Sequence, residues 1–185
     1  MTTDPLDLAK AHLDAGRLDE ALAITKPLAE AQDPSHRALA MHSTALKGLG
    51  RREEALAFDL LATTRFKSSG VAWHNLAATL GDLGRGAEAV KAMKEAFLRG
   101  VDGALSWGVM ARAMAAAGDL DGAEHAYQEA LKRAPGRVET AAEYADVIWM
   151  RRGDLAAAQA VLDRCAHAGG DPAPLLLTKA KFFEA

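Results

Sequence analysis

The chain has 185 residues, half of them apolar but only 5% aromatic, and a formal net charge of −3 at pH 7. This charge, without a cluster of Lys and Arg, disfavours nucleic acid as a partner. No apolar run reaches the roughly 18 residues of a membrane span, and the first ten residues lack the basic start and apolar stretch of a secretion signal. The single cysteine excludes an intrachain disulfide, so nothing indicates an oxidising compartment. We therefore expect a cytoplasmic protein with no membrane partner.

Five glycines divide the chain into similar segments. They are Gly16, Gly50, Gly84, Gly118 and Gly153, at successive distances of 34, 34, 34 and 35 residues. Each is expected to follow a helix, where a left-handed residue can cap the free carbonyl groups. Small residues recur before and after each glycine: Ala9, Ser43, Ala77, Ala111 and Ala145, then Ala21, Ala55, Ala89, Ala123 and Ala158. We expect two helices to approach most closely at these positions, because a larger side chain would force their axes apart.

The segment 104–137 shows that each repeat is a pair of helices. Its first half places apolar residues at helical spacing, namely Trp107, Met110, Ala111 and Met114, and its second half does the same with Leu120, Ala123, Tyr127, Ala130 and Leu131. This cadence, with Gly-Asp-Leu at the break and a proline at the end, resembles the tetratricopeptide repeat (TPR) signature. The resemblance implies an all-α, right-handed superhelical solenoid of antiparallel helix hairpins.

The resemblance extends over the chain as a single solenoid domain, 1–185. The predicted repeats are 4–34, 35–69, 70–103, 104–137 and 138–171, followed by a lone final helix over 172–185. Pro27 should kink or shorten the second helix of the first repeat. The fifth glycine arrives one residue late, which a longer first helix or a one-residue bulge would accommodate. The final helix either covers the last hydrophobic face or belongs to a repeat that continues beyond Ala185, and the sequence does not separate these alternatives.

No pattern of residues indicates catalysis. The six histidines are scattered over different repeats and never show the H-E-x-x-H spacing of a zinc site, so we expect them at the surface or its boundary. Cys165 stands at a small-residue position and should be a buried small side chain. We therefore predict no enzymatic activity, metal or cofactor.

The resemblance also indicates where a ligand would bind. In proteins of this family the first helices of the hairpins line a concave groove, and carrying this over by register assigns ten residues to it. They are Arg37, Met41, Thr44, His74, Asn75, Val109, Arg112, Glu143, Asp146 and Trp149. We expect Arg37 and Arg112 to meet acidic ligand residues and Asn75 to hydrogen-bond the ligand backbone. The alternative for each residue is an ordinary solvated helix surface.

Three functions are compatible with these observations. The first is a protein-interaction scaffold that binds a polypeptide segment in the groove. The second is the N-terminal arm of a larger bacterial enzyme of the 2-oxoglutarate and iron oxygenase, sulfotransferase or glycosyltransferase type, which the full reading frame would reveal. The third is a homo-oligomer formed through a terminal repeat, which solution mass over a range of concentrations would test.

Overall fold

The computed structural model describes residues 4–181, with side chains described as far as Thr178. Eleven helices and no strand lie in this part of the chain. Their bounds are α1 Pro5–Asp14, α2 Leu18–Ala29, α3 His36–Gly48, α4 Arg52–Arg65, α5 Gly70–Asp82, α6 Gly86–Leu98, α7 Ala104–Ala116, α8 Leu120–Arg133, α9 Val138–Arg152, α10 Leu155–His167 and α11 Pro172–Lys181. The predicted all-α solenoid of helix hairpins is confirmed. The last four residues of the predicted final helix, 182–185, lie outside the described residues.

The helices pack in two compact units, α1–α6 and α7–α11. In the first unit α1 pairs with α2, α3 with α4 and α5 with α6, and successive hairpins meet where α2 contacts α3 and α4 contacts α5. In the second unit α7 pairs with α8 and α9 with α10, while α8 contacts α9 and α11 packs on α9 and α10. The single domain over residues 1–185 stays a prediction.

The recurring small residues are fully buried, as close contact between paired helices requires. All ten recurring small residues, five in first helices and five in second helices, are 0% exposed. The five glycines also have the expected left-handed conformation, with φ between 60° at Gly153 and 83° at Gly118. Capping and close packing therefore occur in every repeat, although the side chains around them differ.

Two irregularities of the sequence have clear structural outcomes. Helix α2 contains Pro27 and ends two residues later, at Ala29, which makes it two residues shorter than α4. In the fifth repeat the extra residue lengthens the first helix, because α9 has 15 residues where α3, α5 and α7 have 13. Helix α9 ends directly at Gly153, whose N–H donates to the Trp149 carbonyl oxygen over 2.8 Å.

The core of the first unit contains polar side chains that sequence analysis missed. The expectation that histidines lie at the surface or its boundary is wrong for His42, which is 3% exposed. Its Nδ1 lies 3.0 Å from Thr25 Oγ1, and its ring packs edge-on against Phe58. Burial lowers the pKa of the His42 imidazole, so the neutral ring is the favoured form in this core.

Asp59 is a buried acidic residue of this core. It is 1% exposed and accepts a hydrogen bond of 2.5 Å from Thr79 Oγ1. Equivalent positions in later repeats carry the buried side chains Met93, Tyr127 and Leu162. Burial raises the pKa of the Asp59 carboxyl, against the opposing effects of the Lys47 charge and the hydrogen bond from Thr79.

Replacement of Asp59 by Asn should raise the melting temperature at pH 7. A carboxyl group whose pKa is raised by folding destabilises the fold when it is ionised, and this penalty disappears as the pH falls towards the unfolded-state value of about 3.9. The gap between Asp59→Asn and the wild type should therefore narrow between pH 7 and pH 4 in thermal melts. Asp82→Asn, at an exposed position of α5, is the control. The same difference in melting temperature at pH 7 and pH 4 would contradict a raised pKa for the Asp59 carboxyl.

Replacement of Ala111 by Leu should lower the free energy of unfolding by about 1–3 kcal/mol, because the added atoms enter a closely packed helix contact. Ala116→Leu makes the same change at an exposed position of the same helix and should cost little. Urea unfolding of the two variants measures the difference. Equal stabilities would show that Ala111 does not mark the closest approach.

Candidate ligand-binding surface

In the first unit, five of the predicted ligand residues lie on neighbouring first helices, and we call them the α3–α5 face. They are Arg37, Met41 and Thr44 on α3 and His74 and Asn75 on α5. Arg37 and Thr44 are exposed, whereas the other three are half-buried. Helices α3 and α5 contact each other, so these residues belong to one surface.

Arg37 already has two acidic partners. Its Nη2 donates to Asp7 Oδ1 over 2.5 Å and its Nη1 donates to Asp4 Oδ2 over 3.3 Å. These bonds join the start of α1 to the start of α3. An acidic ligand would have to displace two carboxylates to reach this guanidinium, which the sequence did not reveal.

Asn75 has the opposite environment. Its side chain is half-buried, and its amide makes no hydrogen bond to any residue in the range 4–181. Met41 occupies the equivalent position on α3 and is also half-buried. An amide with a free donor and a free acceptor can bind a polypeptide backbone, and a flexible apolar side chain on the same face can contact an apolar residue of the ligand.

In the second unit, the other five predicted residues lie on α7 and α9, and we call them the α7–α9 face. They are Val109, Arg112, Glu143, Asp146 and Trp149. Arg112 is exposed, and Glu143, Asp146 and Trp149 are half-buried. Val109 is assigned to the groove by register but is only 5% exposed, so its side chain offers little surface to a ligand. The helix turns this position towards the core.

Arg112 and Glu143 form an ion pair across the α7–α9 face. Arg112 Nη1 lies 3.2 Å from Glu143 Oε1, and the two side chains are 46% and 33% exposed. An ion pair with this exposure is worth no more than about 1 kcal/mol, so a ligand carboxylate can compete for Arg112. The depression beside them, over Gly108 and Thr140, holds only about 20 Å³, roughly the space of one water molecule.

Glu124 lies on α8, the second helix of its hairpin, and is largely buried. Its side chain is 13% exposed, and its carboxylate lies 2.6 Å from both Arg151 Nη1 and Arg152 Nη2. The Tyr144 hydroxyl also donates to it over 3.2 Å. The lengthened α9 supplies both arginines in its last turn.

Replacement of Glu124 by Gln should therefore lower the free energy of unfolding by about 1–2 kcal/mol, because Arg152 loses its anionic partner and Arg151 keeps only Asp121. Glu53→Gln, an exposed position of α4 without an ion pair to another described residue, is the matched control and should change little. Urea unfolding at low and high salt measures both. A loss no larger than that of the control would contradict the importance of this cluster.

Within residues 4–181, no three His, Cys, Asp or Glu side chains come together in a way that would hold a metal ion. No helix in this range is long and apolar enough to cross a membrane. Cys165 is 1% exposed, as expected for a small core side chain, and burial raises the pKa of its thiol.

Family models described as tetratricopeptide repeat match four segments of the chain. One model matches residues 72–100, and another matches 6–25, 104–129 and 147–164. The chain belongs to the tetratricopeptide repeat family. A search of curated proteins found no match.

Solved TPR structures share the fold at low sequence identity. TTC0263 from Thermus thermophilus is 19% identical, with a TM-score of 0.84 over 98% of each chain. MamA from Desulfovibrio magneticus RS-1 is 17% identical, with a TM-score of 0.70 over 91% of this chain and 97% of that chain. YrrB, described as a TPR protein with an unusual peptide-binding site, is 16% identical, with a TM-score of 0.67 over 95% of this chain and 90% of that one. The chain therefore has the fold of these TPR proteins.

Proposed function

We propose that this TPR protein binds an extended polypeptide segment through the exposed faces of its first helices. The observation that carries the proposal is the half-buried Asn75 amide, which has no hydrogen-bond partner among residues 4–181. A polypeptide backbone presents a donor and an acceptor in each residue, which an amide side chain can bind in pairs. YrrB, a TPR protein with an unusual peptide-binding site, offers a parallel for this function.

The two faces differ in the charge that each can offer to a ligand. On the α7–α9 face Arg112 can exchange Glu143 for a ligand carboxylate, whereas on the α3–α5 face Arg37 is held by two carboxylates. We therefore assign recognition of acidic ligand residues to Arg112 before Arg37. Because Arg112 is exposed, it should affect orientation and association rate more than affinity.

Peptides selected from a displayed random library on the purified protein would test the proposal. In fluorescence anisotropy with the selected peptides, Asn75→Ala should weaken binding by about 3- to 10-fold, the effect of losing one or two net hydrogen bonds. Arg112→Ala should reduce the salt dependence for acidic peptides. Lys94→Ala, at an exposed position of α6, is the control.

All variants should keep the wild-type circular dichroism spectrum. Unchanged affinity of Asn75→Ala for every selected peptide would contradict the assignment of this face.

A further inference from the structure

The second helices α8 and α10, together with Tyr144 of the first helix α9, line a pocket that includes none of the residues of the α7–α9 face. It has a volume of about 340 Å³ and lies between α8, α9 and α10. Leu131, Pro135 and Val161 supply apolar walls, and Tyr144 and Cys165 also line it. This volume is within the range of about 300–1,000 Å³ of ligand sites.

The polar groups of the pocket wall are satisfied within the protein. Gln128 Nε2 donates to the Tyr144 hydroxyl over 2.8 Å, and that hydroxyl donates to Glu124. An apolar group that enters the pocket therefore leaves these polar atoms paired with each other. The interior is suited to an apolar side chain.

The rim of the pocket carries positive charge alone. Lys132 and Arg164 line it, and no Asp or Glu does. Arg164 is exposed and forms no ion pair with another residue of the described range 4–181. Lys132 lies 2.5 Å from Glu129, but Glu129 also pairs with Arg133 over 2.8 Å, so Lys132 can turn to a ligand without leaving that carboxylate alone.

The first unit provides an internal comparison. Its repeat-equivalent pocket lies between α4, α5 and α6 and has a volume of about 480 Å³. At three equivalent lining positions, the first unit has Leu60, Leu76 and Glu95, and the second unit has Gln128, Tyr144 and Arg164. Its rim has both signs of charge, and Glu95 is paired with Arg99 over 2.5 Å. The pocket is thus a product of repeat packing, whereas the purely cationic rim belongs to the second unit.

We propose that the α8–α10 pocket binds an apolar side chain of a partner polypeptide that has Asp or Glu next to it in sequence. The apolar side chain packs between Leu131, Pro135 and Val161, and the acidic neighbour meets Arg164 and Lys132. Half of the lining residues are exposed, so an occupant keeps one side in water. This favours an anchoring side chain of a larger partner over a small molecule, which a protein usually encloses by about 70–90%.

The test is a titration by methyl and amide NMR with the synthetic peptide Gly-Glu-Phe-Glu-Gly. The resonances of the Leu131 and Val161 methyl groups and the Gln128 side-chain amide should shift. Arg164→Glu should weaken binding by about tenfold or more, and Arg164→Gln by less. Arg52→Glu, an equal charge change at an exposed position of α4, should leave the affinity unchanged.

Further arms separate this proposal from its alternatives. Asn75→Ala should bind the peptide normally, which distinguishes this pocket from the first-helix faces. Absence of shifts at the pocket, or equal binding of Gly-Lys-Phe-Lys-Gly, would overturn the proposal. If free 4-phenylbutyrate bound with the same affinity as Gly-Glu-Phe-Glu-Gly, the pocket would instead be a small-molecule site. Broadening of the same resonances with protein concentration, without peptide, would show that a second copy of the chain occupies the pocket.

Discussion

Close approach of paired helices at small side chains is the constraint on which this structure depends. The ten positions that mark it are all 0% exposed, and they fall in every one of the five hairpins. At such positions a helix pair gains contact along its whole length only if neither side chain holds the axes apart. A core with so few aromatic residues can therefore be well packed, because Ala and Ser bring the backbones themselves together.

That constraint leaves the other core positions free to vary. Position 59 and its equivalents hold Asp59, Met93, Tyr127 and Leu162, all of them buried. Polar side chains are buried in this core where a neighbouring helix offers a partner, as Thr79 does for Asp59 and Thr25 does for His42. Because a buried carboxylate or imidazole is disfavoured in its charged form, these pairs make the first unit sensitive to pH in a way that the periodicity of the sequence conceals.

The fold was predictable because helical spacing, capping glycines and small contact residues all repeat with one period. Individual side-chain environments were less predictable, because they depend on the angle between neighbouring helices. Arg37 reaches carboxylates 30 and 33 residues away, and Glu124 gathers two arginines from a helix that one inserted residue has lengthened. The assignment of Val109 to the groove failed for a smaller reason, because only a modest rotation about the helix axis separates a groove position from a core position.

The same logic explains where new recognition can arise in a repeat protein. Packing of a hairpin against the next one creates equivalent pockets in both units, each lined by two second helices and the first helix between them. Substitution at the rim then changes the charge of the pocket without disturbing the helix contacts. An example is position 164, where the second unit has Arg164 and the first unit has Glu95 at the equivalent position. Since exposed rim residues contribute little to folding free energy, they can change charge at low cost in stability. Recognition on such a scaffold is thus a property of single exposed positions, superimposed on a geometry that the buried small residues maintain.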